Sequence, residues 1–105
     1  MTNYANMSVS TLAAVDAFAS HVSYTYMSYQ NGMQMRAEFP NGYSVSVVSH
    51  AFSYGGEEGL WEGAVMYGGR IVYDTPVTDD VIGWMNEDEV LTFCRNVADL
   101  PAREA

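Results

Sequence analysis

The stretch Met33-Gln34-Met35-Arg36-Ala37-Glu38-Phe39-Pro40-Asn41-Gly42-Tyr43-Ser44-Val45-Ser46-Val47 decides the fold. On both sides of Asn41-Gly42 apolar and polar residues alternate, the period of a strand with one buried face. An Asn-Gly pair supplies the positive φ angles of a tight hairpin turn. Pro40 cannot donate to a ladder, so the connection is expected to be slightly longer than two residues.

Working outward, Asn31-Gly32 and Gly68-Gly69 are further turn signals. Before the first lies Ser23-Tyr24-Thr25-Tyr26-Met27-Ser28-Tyr29, alternating and rich in strand-favouring residues. After the loop Phe52–Gly59, a strand is expected from Leu60 to Tyr67, and Gly68-Gly69 turns it into Arg70–Tyr73. A helix is expected at each end. Ser10 reads as the cap of the first, with Leu12, Val15, Phe18 or Ala19, and Val22 on one face. Asn86 with Glu89 reads as a capping box for the second, whose apolar face is Val90, Phe93, Cys94, Val97 and Leu100, and Pro101 ends it. The expected fold is α+β: an antiparallel meander of four or five strands, with both helices packed on one face, in one domain over 1–105.

Charge is the chain's most distinctive long-range property. Its 105 residues include thirteen acids, four arginines and no lysine, for a formal charge of -9. Only Asp16 and Glu38 precede residue 57, so eleven acids fall from Glu57 to Glu104. Such a field attracts basic proteins and repels nucleic acid and anionic membrane. Hydrophobic residues make up 49%, so the chain is expected to fold and not to behave as an acidic tail. No apolar run approaches the ~20 residues of a membrane span. The N-terminal residues lack the basic charge of a secretory signal, and a lone Cys94 fits a reducing cytoplasm.

From Phe39 onward, about sixty residues resemble a family of small tailed-bacteriophage proteins to which no activity is attached. The resemblance rests on Phe39-Pro40-Asn41-Gly42-Tyr43, Ser53-Tyr54-Gly55-Gly56, Glu58-Gly59-Leu60-Trp61-Glu62, Tyr73-Asp74-Thr75-Pro76-Val77-Thr78-Asp79-Asp80-Val81 and Glu87-Asp88-Glu89-Val90. It implies a phage origin and a host bacterial cytoplasm as the workplace. It carries no functional residues over, and it leaves the first 38 residues unmatched.

The possible chemistries each have a plainer reading. Asp74, Asp79 and Asp80 are the ligand type of a hard cation, but their spacing fits no EF-hand. Asp74-Thr75-Pro76 reads as a strand exit, and Thr78 as the cap of a short helical turn over Asp79–Gly83. Glu57, Glu58 and Glu62 read as surface acids, not as an acid–base pair. His21, His50 and Cys94 form no recognisable triad or zinc spacing. Tyr54-Gly55-Gly56 resembles a phosphate loop, but acids follow it and no lysine is present. No reaction, metal or cofactor is expected.

The aromatic set Tyr24, Tyr26, Tyr29, Tyr43, Tyr54, Trp61, Tyr67, Tyr73 and Trp84 exceeds what one small core hides with every hydroxyl satisfied. Exposed tyrosine and tryptophan inside an acidic rim favour a protein partner. The expectation is therefore a non-enzymatic phage inhibitor of a basic host protein: a nuclease, a CRISPR effector or a transcription component. Carboxylates would stand where phosphates bind, with no direct contact to nucleic acid or membrane. The expected contact residues are Glu57, Glu58, Glu62, Asp74, Asp79, Asp80, Glu87, Asp88, Tyr54 and Trp61. The rivals are a homo-oligomeric accessory or structural phage protein, and an enzyme or small-ligand sensor using the Asp74–Asp80 turn.

Overall fold

The central hairpin forms as its sequence dictates. In the computed structural model, which describes residues 6–103, β2 (Gly32–Glu38) and β3 (Tyr43–Ser49) pair antiparallel, with Ala37 opposite Val45 and Met35 opposite Val47. The connection is four residues long. Gly42 sits at φ 91 and donates its N–H to the Phe39 carbonyl at 3.0 Å. A side chain there would be strained, and its Cβ would stand 3.1 Å from the Tyr67 ring.

On one flank β1 (His21–Met27) pairs with β2, and on the other β4 (Trp61–Tyr67) pairs with β3. Gly68 and Gly69, both at positive φ, turn β4 into the two-residue β5 (Arg70–Ile71). A further strand, β6 (Ile82–Met85), pairs with the opposite end of β4, Trp61 lying opposite Met85. The sheet is thus an antiparallel meander with its last position shared by β5 and β6.

Both helices cover one face of this sheet. The second, α2 (Glu87–Ala98), starts on the expected capping box: Asn86 Oδ1 accepts from the Glu89 N–H at 2.8 Å, and Glu89 Oε1 from the Asn86 N–H at 3.0 Å. Its Val90, Phe93, Cys94 and Val97 pack with Val15 of α1 (Val9–Asp16) against Met35, Val45, Val47, Trp61 and Val65. Burying each such side chain contributes about 1.5–3 kcal/mol. The other face is mostly polar, with Gln34 Nε2 donating to Ser46 Oγ across β2 and β3, although Val48 and Ala64 are also buried on it.

Four local expectations give way. Ser8, not Ser10, caps α1, its hydroxyl accepting from the Thr11 N–H at 3.3 Å. Val22 lies in β1 opposite Ala37: the Ser20 N–H donates to the Glu38 carbonyl at 2.7 Å, so sheet pairing takes over from the helical spacing. The first strand runs two residues earlier than its alternation suggests, leaving Tyr29 exposed in the turn. Asp79–Gly83 is not a helical turn, because β4 has an unfilled edge beyond β5 and Ile82–Gly83 join the strand that fills it.

Candidate partner-binding surface

The 50–60 loop is built from its own hydrogen bonds. Ser53 Oγ accepts from the His50 N–H at 2.9 Å and donates to the His50 carbonyl at 3.0 Å. The Phe52 N–H donates to His50 Nδ1 at 3.1 Å, a role that only a neutral imidazole nitrogen can fill. Burial lowers the His50 pKa below its ordinary value, with the Glu62 charge pulling partly the other way. Gly55 then starts a short 3-10 turn that carries Glu57 and Glu58 into solvent.

Tyr54 is held at both ends of its peptide. Its N–H donates to Glu62 Oε1 at 3.0 Å, and its carbonyl accepts from the Trp84 N–H at 3.1 Å. The loop can lie this close to β6 because Gly83 has no side chain; a Cβ there would stand 2.5 Å from Tyr54 Cβ. Trp84 itself adopts φ 62, a conformation that costs an aromatic residue about 1–3 kcal/mol. Between loop and strand lies a cleft of about 270 Å³ lined by Phe52, Tyr54, Glu57, Glu58 and Trp84. The three rings remain 78%, 60% and 56% exposed, respectively for Phe52, Tyr54 and Trp84. No basic side chain lines this cleft.

The expected contact residues therefore divide. Tyr54, Glu57 and Glu58 meet at the cleft, and Glu62 supports it from beneath through the Tyr54 N–H. Trp61 is a correction: it is 1% exposed in the core, packed beneath α2, and offers no surface to a partner. Trp84 and Phe52 are the rings the sequence reading left out of the contact set. The cue for Trp84 was the strand-forming run Val81-Ile82 ahead of it.

The remaining acids lie elsewhere. Asp74 pairs with Arg103, whose hydrogen bonds hold the carboxyl below its usual range, and the guanidinium also reaches Tyr43 Oη at 2.8 Å. Glu87 is bound to the first turn of α1, accepting from Ser8 Oγ at 2.7 Å and from the Ser8 N–H at 3.1 Å. Burial raises its pKa, but the hydrogen bonds from Thr11 and Ser8 outweigh that and leave it lowered. Asp80 Oδ1 accepts from the neighbouring Val81 N–H at 2.8 Å, and Asp79 and Asp80 are exposed on the β5–β6 loop. Asp88 lines a second groove with Val77, Ile82 and Met85.

Among the described residues no three His, Cys, Asp or Glu side chains are grouped to hold a metal ion. Cys94 is in the core, where burial pushes its thiol up to about 12. No helix among the described residues is long and apolar enough to cross a membrane. No protein-family model matches the chain, and neither does any curated protein or solved structure.

Proposed function

We propose that this chain is a non-catalytic inhibitor of phage origin that acts in the host bacterial cytoplasm. It binds a basic host protein whose natural ligand is nucleic acid: a nuclease, a CRISPR effector or a transcription component. The observation that carries this reading is the cleft beside β6, where three exposed aromatic rings stand with Glu57 and Glu58 and no cation. Aromatic anchors give desolvated contact area, and carboxylates give attraction to a groove shaped for phosphates. The net charge of -9 adds long-range steering toward such a groove.

The test is capture from bacterial lysate, identification by mass spectrometry, and titration of the captured protein with duplex DNA. DNA should displace the chain, and association should slow as the Debye length falls to ~3 Å near 1 M salt. A captured complex indifferent to both DNA and salt removes this reading.

A second reading, a homo-oligomeric accessory or structural phage protein, draws on one feature. Among the described residues the β1 strand pairs on one side only, and along His21–Met27 it carries no Lys, Asp, Glu or Pro to discourage a second copy. Light scattering at two concentrations separates the readings, since the inhibitor needs no self-association.

A further inference from the structure

We infer that the cleft between the 50–60 loop and β6 is a receptor for a guanidinium group, an arginine side chain presented by the partner. This deepens the proposed function and takes the partner's identity from it, but the preference of the cleft is readable without any partner.

Three exposed aromatic side chains around one cleft, Phe52 among them with its ring edge-on to His50, favour a flat or cationic guest over solvent. Glu57 and Glu58 fix the sign of that guest, because the cleft holds two carboxylates and nothing to neutralise them. Two of the chain's four arginines already show the preference: Arg95 lies 4.9 Å from the Phe18 ring centre, and Arg103 lies 5.3 Å from that of Tyr43 while pairing with Asp74. The Arg103 site is an intramolecular version of the same combination, an aromatic face plus a carboxylate. The outer cleft has both components and no arginine of its own.

Guanidinium suits the cleft better than ammonium. It is planar, stacks on rings, donates in a fork to carboxylates, and is more weakly hydrated. The position of Trp84 also favours a preformed receptor. Its peptide N–H is fixed to the Tyr54 carbonyl, so the backbone that carries the indole is already in place at the cleft.

The experiment is an NMR titration with N-acetyl-arginine methylamide, with the citrulline and lysine analogues as controls. The Trp84 indole N–H should shift saturably while that of the buried Trp61 stays in place. Binding should be about tenfold weaker for lysine, the loss of a stacked, forked contact of roughly 1.4 kcal/mol, and absent for citrulline. Trp84→Asn, asparagine being at ease at positive φ, should abolish the saturable arginine shifts of the Tyr54, Glu57 and Glu58 backbone amides that line the cleft. Should that variant unfold, Glu57→Gln with Glu58→Gln supplies the second test and should weaken arginine binding with Trp84 intact. No saturable shift at Trp84, or equal shifts with arginine and lysine, overturns the inference. Host-protein capture that DNA still competes away would leave the proposed function standing in that event. Arginine binding without any captured partner would do the reverse.

Discussion

The Asn41 side chain donates to the Leu100 carbonyl at 2.9 Å, and the same Nδ2 reaches the carbonyls of Val97 and Ala98 at 2.9 and 3.2 Å. Its Oδ1 meanwhile accepts from the Tyr43 N–H at 2.9 Å. The turn residue of the central hairpin thus satisfies the C-terminal carbonyls of α2, groups that a helix end leaves without partners.

Asn41→Ala should consequently cost more than an ordinary turn substitution. Leaving these carbonyls short of a donor costs about 1–3 kcal/mol, and each kcal/mol lowers the melting temperature of a domain this size by about 4–8 °C. Thermal unfolding followed by circular dichroism measures it. Asn41→Asp, which keeps the acceptor for Tyr43 but loses the amide donor, should be comparably destabilised.

Gly42→Val should destabilise by about 1–3 kcal/mol, since a β-branched residue is strained at positive φ. The ring of Tyr67 adds to the cost, standing 3.1 Å from where the new Cβ would be. Gly42→Asn should be milder, because asparagine tolerates this region. Equal melting temperatures for valine and asparagine would show that crowding outweighs backbone strain.

The acids of the cleft should separate into two kinds. Glu57→Lys with Glu58→Lys should leave stability within about 0.5 kcal/mol, both side chains being exposed on a short turn. Glu62→Ala should cost about 1 kcal/mol, because it removes the acceptor for the Tyr54 N–H. Urea unfolding gives both values, and faster hydrogen exchange at the Tyr54 amide assigns the second to its cause.

Glu87 makes stability depend on acid. Its folded pKa lies below the ordinary 4.5, so the unfolded chain binds its proton first as pH falls. The contribution is complete above 4.5 and is lost as pH drops through the folded value. Glu87→Gln should therefore be less stable than the parent at neutral pH and converge on it as pH falls below the lowered folded value. A gap that persists at acid pH would assign the effect to shape and not to charge.

Local signals made much of the fold legible. Asn86 and Glu89 are three residues apart and satisfy one another, so the start of α2 could be read from the sequence alone. The Met33–Val47 alternation did the same for the central hairpin. Contacts between distant residues were not legible. Glu57 and Glu87 are the same residue type, and only contacts from the start of α1, with Ser8 79 residues from Glu87, make one of them part of the framework. Trp61, expected at the surface, is turned inward for a similar reason, the pairing of β6 with β4, while Trp84, given no contact role, stands exposed where its backbone N–H meets the Tyr54 carbonyl.

Cys94 has a practical consequence. It is the chain's only thiol, and burial keeps it protonated and shielded. A cysteine introduced at exposed Ser10 would then be the one reactive sulfur in the folded state, so a single dye or spin label can be placed without first replacing the native residue. In the unaltered chain the same shielding makes slow labelling a clock, each modified molecule recording a moment when α2 lifted from the sheet.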